Sequence, residues 1–200
     1  MLITIDGKSG HGKSTVGPML ADKLGASFFS SGLLIRFLAH QYQQLSSEGI
    51  AEDDIFESLY NKISVETILH LQNHRNTELY ETGLTEYFGI ITSNKKMLKI
   101  VDGALGDYCK GKDVIMDGRN LYEIFPDANF KFYFESSLEK RSELMQLSKQ
   151  VTIEESLERI QSRDCQERRL IVTYSELIVM DPLSHSLDEL LELMYKRVVR

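Results

Sequence analysis

The chain opens on an apolar run, Leu2-Ile3-Thr4-Ile5, closed by Asp6, and a short run bounded by glycine reads as a buried strand. Val16, Met19, Leu20 and Leu24 then recur at helical spacing. Gly25, with Lys23 in the preceding turn, ends that helix. Gly17-Pro18 sits inside it, where proline removes a backbone donor and favours a bend. Ala26 to Phe29 predict a second strand, followed by a helix through Arg36 and Leu38. From Ile63 the period changes. Ile63, Val65, Thr67, Leu69 and Leu71 alternate with Ser64, Glu66, His70 and Gln72, then a turn-like Asn73-His74-Arg75-Asn76 leads into a second alternating run, Thr77 to Glu81. That pattern predicts an antiparallel hairpin inserted in an α/β chain. Two helices follow, the second with Met97, Val101, Ala104, Leu105 and Tyr108 on one face. Val114 to Asp117, Phe130 to Phe134 and Leu177 to Met180 supply three further strands, and Leu187, Leu190, Leu191, Met194 and Val198 share a face of the last helix. Ser136 with Glu139, Thr152 with Glu155 and Ser186 with Glu189 pair as capping boxes at three helix starts. Strands alternating with helices predict a parallel sheet, five strands in all, wrapped on both sides.

Composition narrows what such a chain does. With 200 residues, 42 % hydrophobic and 26 % charged, it has material for one domain carrying a small inserted subdomain. A net charge of -7 argues against nucleic acid as a partner, so any anion must be met by locally gathered Lys and Arg. Cys109 and Cys165 show neither metal-ligand spacing nor a disulfide framework, and no apolar stretch is long enough to span a bilayer. A cytoplasmic monomer is the expectation.

Candidate chemistry concentrates in Gly7-Lys-Ser-Gly-His-Gly-Lys-Ser-Thr15. Gly7, Gly12, Lys13 and Ser14 satisfy G-x-x-x-x-G-K-[ST], the phosphate loop of nucleoside triphosphate enzymes. Its glycines let backbone N–H groups turn inward around phosphate oxygens, and the helix beginning there adds the positive end of its dipole. Gly7, Ser9, Gly10, His11, Gly12, Lys13, Ser14 and Thr15 are therefore expected to cradle ATP. Lys13 reaches the β- and γ-phosphates, and the Ser14 hydroxyl ligates Mg²⁺. His11 reads as an exposed spacer, because only backbone amides are required at its position. Asp117, closing an apolar strand, fits the acid that holds Mg²⁺ directly or through water.

The acceptor of the phosphate leaves a separate mark. A hydroxyl acceptor calls for a nearby carboxylate to take its proton, whereas a phosphate acceptor needs cations to offset the repulsion between two polyphosphates. Arginine's planar fork suits the second task. Arg36, Arg119, Arg141 and Arg163 are the candidates; Arg119 sits two residues beyond Asp117, where active-site loops gather, and Arg159 reads as a surface cation.

Several segments together resemble the bacterial cytidylate kinases over most of the chain. ITIDGKSGHGKST is similar to that family's opening strand and loop, and FFSSGLLIR to its L-D-S-G-x-x-Y-R segment. MDGRN resembles its D-G-R-D, FPDANFKFYFESS its F-P-D-A-x-x-K-x-F-L-x-A-S, and SRDCQER its R-D-x-x-D lid stretch. The resemblance implies one P-loop kinase domain over residues 1–200, with an acceptor-binding insertion at about 60–92 and a mobile lid at about 141–170. It implies Mg·ATP as donor and a pyrimidine nucleoside monophosphate such as CMP or dCMP as acceptor. Ser31 and Arg36 would then face the acceptor, Arg36 gripping its phosphate. Arg119 would lie between the two sets of phosphates, Arg163 would meet the acceptor, and Arg141 would serve as a lid arginine. Asn120 and Glu167 fall at base-reading and lid positions.

Departures from the family pattern fall on the acceptor side and the lid. Ser30 replaces an Asp, Ile35 a Tyr, Asn120 the second Asp of D-G-R-D, Leu144 and Met145 a pair of lid arginines, Glu167 an Asp and Leu170 an Arg; a lysine between Lys95 and Lys99 stands in for a helix arginine. Asn at 120 both donates and accepts where Asp only accepts, so the hydrogen-bond pattern it reads is different. Loss of two lid cations lowers transition-state stabilisation. The expectation is a kinase that is slow on CMP or prefers another acceptor. A P-loop kinase for a different metabolite and a catalytically weak ATP-binding regulatory module are the alternatives.

Overall fold

The computed structural model describes residues 1–74, 79, 84–165 and 176–199. It resolves into two compact units, one formed by the described residues of Met1–Phe28 and Asp113–Arg200, the other by those of Phe29–Lys112.

In the first unit β1 (Leu2–Gly7) leads through the glycine loop into α1 (Lys13–Leu24), and β2 (Ser27–Ser30) carries the chain across to the second unit. The chain returns in β3 (Val114–Asp117). A one-turn helix α7 (Leu121–Ile124), β4 (Phe130–Phe134), α8 (Leu138–Lys149), α9 (Ile153–Cys165), β5 (Ile178–Met180) and α10 (Leu187–Val198) follow. The sheet has five strands in the order β2-β3-β1-β4-β5, with β1 pairing in parallel to β3 and β4, and β4 to β5. β1 is thus central, and the loop after it opens at the carboxyl ends of its neighbours, where α/β sheets place their sites. The register sets Asp117 beside Ile5, and Gly7 beside Phe134.

Ile3, Ile5, Val16, Leu20, Ile115, Phe132, Phe134, Leu190 and Met194 form the core between the sheet and the α1–α10 layer. Each such side chain contributes roughly 1.5–3 kcal/mol when fully buried, which fixes the strand ends and so the loop between them. α1 begins at Gly12 (φ 72°) and ends at Gly25 (φ 66°), whose N–H donates to the carbonyls of Ala21 and Asp22. Packing explains Gly17. A Cβ there would lie 2.4 Å from Cε2 of Phe28, so the glycine is the space the ring occupies. Pro18 leaves the Ser14 carbonyl without its helical donor, yet α1 continues to Leu24.

The second unit is helical: α2 (Ser31–Ser47), α3 (Glu52–Lys62), α4 (Val65–Asn73), α5 (Thr85–Ser93) and α6 (Lys95–Cys109). It buries Leu34, Leu38, Ile55, Leu59, Ile68, Met97, Val101, Leu105 and Tyr108. The expected hairpin is therefore corrected in its first arm, which is α4. Ile68 and Leu71, three residues apart, are buried, while Leu69 is 39 % exposed. Ser64 caps the helix by accepting the Thr67 N–H, so a serine that fitted a strand alternation works instead as an N-cap. Of the second arm, all but Leu79 lies outside the described residues.

Two of the capping boxes form, at Thr152/Glu155 and at Ser186/Glu189. The third does not form: one residue on, Ser137 serves only as an N-cap by accepting the Lys140 N–H, whereas Ser136 donates to the Asp181 carboxylate. Lys140 Nζ (2.8 Å), the Ser184 hydroxyl and the Leu183 N–H also donate to Asp181. Burial alone would raise its pKa, but these four donors win and hold the carboxyl far below its usual range.

Candidate active site

The glycine loop has the backbone an anion cradle requires. Gly7, Gly10 and Gly12 have φ of 135°, 84° and 72°, a region side chains disfavour. A Cβ on Gly7 would stand 2.5 Å from the Phe134 carbonyl oxygen, and one on Gly10 would stand 3.2 Å from Arg141 Cβ. Glycine at these positions thus lets the loop close against β4 on one side and α8 on the other. Beyond it, Gly12 O accepts the N–H of Thr15 (2.9 Å) and of Val16 (3.1 Å), which starts α1 and leaves the amides of its first turn at the loop.

Side chains then gather on the loop. Lys13 Nζ donates to Gly7 O and, at 2.8 Å, to Lys8 O. Arg119 NH2 donates to Ser9 Oγ at 2.7 Å, and Arg141 NH1 to Ser9 O at 3.1 Å. Arg141 is 5 % exposed, and its charge is met by Asp164 of α9 at 2.8 Å. Two arginines more than 20 residues apart in the chain therefore converge on one loop residue. Leu144 and Met145, the residues that replace lid arginines, pack instead: Met145 is buried, and Leu144 Cδ2 lies 3.9 Å from where a Gly12 Cβ would be.

Asp117 ends β3 beside β1, buried at 4 % exposure; Ser14 is exposed in the first turn of α1. Asn120 takes the left-handed conformation (φ 58°) that asparagine tolerates better than most side chains, so it has a conformational role in the turn after Asp117. With Gly7, Lys8, Arg119 and Tyr133 it lines a small recess at the loop. In the second unit Ser31 starts α2, and the Arg36 guanidinium lies 5.9 Å from the centre of the Phe88 ring. Arg163 belongs to α9, while Glu167, Arg168, Arg169 and Leu170 lie outside the described residues.

Two buried groups correct or extend the sequence reading. His11 is 3 % exposed and is no exposed spacer; its Nδ1 lies 2.9 Å from Lys8 O. Asp6, fully buried, accepts the N–H of Leu121 (2.8 Å) and of Tyr122 (3.0 Å) and so ties the strand before the loop to the turn carrying Arg119 and Asn120. The signal for Asp6 was of the same kind as that for Asp117, an acid closing an apolar strand. His11 gave no such signal, since its cover comes from α8 and α9.

Burial pushes Asp6 up to about 7, with the neighbouring Asp117 charge adding to the rise against the two amides and Lys13. Burial pushes His11 down to about 4, aided by the Lys13 and Arg141 charges. The signs oppose. Between pH 4 and 6.5 folded Asp6 keeps a proton its unfolded form has lost, which makes stability fall as pH rises. Over the same range folded His11 lacks a proton its unfolded form has gained, which makes stability rise. The two contributions cancel in the native chain. His11→Asn is expected to unmask a loss of about 1.4 kcal/mol per pH unit as pH rises from 4.5 to 6.5, and Asp6→Asn a gain of similar slope. Denaturant midpoints across that range check it; parallel curves for the two variants would contradict it.

A parallel sheet with a glycine-lined loop after its central strand, a lysine at the helix start and a buried acid on the next strand defines a P-loop nucleotide-binding core. The chain belongs to the cytidylate kinase family, ATP-using phosphotransferases, whose family model, described as cytidylate kinase, matches residues 3–199. It is 30 % identical to the cytidylate kinase of Thermotoga sp. (strain RQ2), covering 98 % of this chain and 96 % of that one. To the cytidylate kinase of Caldanaerobacter subterraneus subsp. tengcongensis it is 27 % identical, covering 98 % and 93 %. Among solved structures, a gluconokinase from Sinorhizobium meliloti 1021 shares the fold, with a TM-score of 0.52 at 15 % identity over 98 % of this chain and 94 % of that chain. Among the described residues, no helix is long and apolar enough to cross a membrane.

Proposed function

We propose that the protein is a cytoplasmic, monomeric nucleoside monophosphate kinase that transfers the γ-phosphoryl group of ATP to CMP or dCMP. The observation that carries this reading is the convergence of Arg119 and Arg141 on Ser9 of the phosphate loop. A phosphate acceptor arrives already ionised, so what it needs is positive charge rather than a base, and arginine supplies it in a form matched to phosphate oxygens.

In this reading, loop amides from Gly7 to Thr15 hold the donor's phosphates, and Lys13 exchanges its two carbonyl partners for the β- and γ-phosphate oxygens. The donor enters as its Mg²⁺ complex. Ser14 and Asp117 are the residues that would hold the ion, which neutralises phosphate charge, and the glycine cradle with a buried acid on the adjoining strand fits that group. Arg36, with Ser31, grips the acceptor's phosphate, and an insertion near residues 60–92 helps bind the acceptor. Arg119 offsets charge between the two phosphates, assisted by Arg141 and Arg163 from a lid near residues 141–170, while Asn120 and Glu167 contact the acceptor. Transfer is in line, driven by positioning and charge, with no covalent enzyme intermediate.

The test is ADP release from Mg·ATP in the presence of CMP, dCMP, other nucleoside monophosphates, free nucleosides and sugars. CMP or dCMP is expected to give the highest kcat/KM. Arg36→Ala is expected to raise the acceptor KM on the order of tenfold or more while leaving the ATP KM alone, through loss of charged hydrogen bonds. Unchanged CMP kinetics in that variant would contradict the assignment, as would a free nucleoside or sugar outpacing every nucleotide.

A further inference from the structure

Three carbonyls of the phosphate loop accept side-chain donors. Gly7 O accepts from Lys13, Lys8 O from both Lys13 (2.8 Å) and His11, and Ser9 O from Arg141 (3.1 Å). In a trans peptide the C=O and the following N–H point opposite ways, so holding a carbonyl in place fixes the direction of the next amide. A loop that binds phosphate through its amides therefore depends on what holds its carbonyls. Lys13 is a poor permanent holder, because its amine is the group that must turn to phosphate when ATP arrives. Once it does, His11 is the remaining described donor on Lys8 O.

We infer that His11 is a positioning residue of the phosphate loop, its Nδ1–H fixing the Lys8 carbonyl so that the loop keeps its nucleotide-binding shape after Lys13 leaves. A carbonyl oxygen only accepts, so Nδ1 carries the hydrogen and Nε2 presents a lone pair. Nε2 is buried with no hydrogen-bond partner among the described residues. A lone pair repels phosphate oxygens, so the ring acts through the backbone rather than on the ligand. Burial keeps it neutral. Three charged groups, Lys13, Arg141 and Asp164, surround it; Asp164 holds Arg141, so the ring is enclosed by the same contacts that seat α8 and α9 on the loop. The inference deepens the proposed function, resting on its assignment of this loop to ATP.

The experiment measures Mg·ATP binding calorimetrically for the native chain and for His11→Ala, His11→Asn and His11→Gln, with steady-state kinetics alongside. Asparagine places an N–H near the position of Nδ1; glutamine places it near Nε2. His11→Ala and His11→Gln are expected to weaken Mg·ATP binding roughly tenfold, the scale of one hydrogen bond. His11→Asn should stay within about threefold of native, and the acceptor KM should be unchanged in all. Should the alanine variant not fold, the asparagine–glutamine pair, matched in chemistry and differing in reach, decides. Equal affinity in those two, or native affinity in His11→Ala, would overturn the inference. No binding by the native chain would instead overturn the loop's assignment to ATP, and native binding without transfer to any nucleotide would overturn only the acceptor.

Discussion

Lys13→Ala is expected to lower kcat/KM for ATP by ~10³ or more while leaving the protein folded, on the scale of a cation removed from a phosphoryl-transfer site. The lysine is the first residue of α1, and its amine already sits across the loop mouth on Gly7 O and Lys8 O. Removing it deletes the cation that would follow charge onto the β–γ bridge, and it also takes away the Gly7 carbonyl's side-chain donor, leaving the Lys8 carbonyl to His11. The loss should therefore appear in binding and in turnover together. The side chain is only partly buried, so the thermal midpoint should move little. Lys13→Arg tests the shape requirement, because a planar fork does not reproduce a compact ammonium in a cradle of this size. A Lys13→Ala variant with turnover within tenfold of native would remove the loop from the mechanism.

Arg119→Ala is expected to cost ~10² to 10³ in kcat, with smaller changes in either KM. The guanidinium is held by the Ser9 hydroxyl at 2.7 Å, and its loop is fixed by the Asp6 carboxylate accepting two amides at Leu121 and Tyr122. In the proposed role Arg119 would act on charge that develops during transfer, which is why kcat should carry the effect. Arg119→Lys should recover little, since one ammonium cannot serve Ser9 and two phosphates through a bidentate fork. Steady-state kinetics with both substrates varied give the split. An effect confined to the acceptor KM would make Arg119 a binding residue rather than a participant in transfer.

What was legible in the sequence follows from how local each signal is. The glycine loop is a property of adjacent residues: Gly7, Gly12, Lys13 and Ser14 sit in one turn of chain, and β1 and α1 around them are the expected strand and helix. Asp117 was legible for the same reason. The contacts that make the site were less so, because they join distant parts of the chain. Ser9 meets Arg119 and Arg141, His11 is enclosed near Arg141 and Asp164, and Asp6 reaches Leu121 and Tyr122. None of these pairs has a spacing that a pattern can register. Gly17 is the same case inside the core, a glycine explained only by the Phe28 ring.

The error at α4 is of another kind. Counting Thr67 as apolar and passing over Ile68 produced a period of two, whereas the buried residues are Ile68 and Leu71, which belong to a helix capped by Ser64. Over nine residues, a strand alternation and an amphipathic helix share enough positions that tertiary burial decides between them. Where the resembled family pattern carries a pair of arginines, this chain has Leu144, 3.9 Å from where a Gly12 Cβ would be, and Met145, which is buried, an exchange of charge for apolar contact. That exchange is the physical ground for expecting slower transfer than a lid with both cations would give.

In the proposed reaction the loop from Gly7 to Thr15 delivers a γ-phosphoryl group to the phosphate of a cytidine nucleotide. Phosphorus NMR of the purified protein with Mg·ATP and CMP tests it most directly. The γ-phosphate resonance is expected to disappear as CDP and ADP grow in equal amounts, with no inorganic phosphate. ADP appearing with inorganic phosphate and no CDP, or an unchanged spectrum at enzyme concentrations near those of substrate, would contradict it.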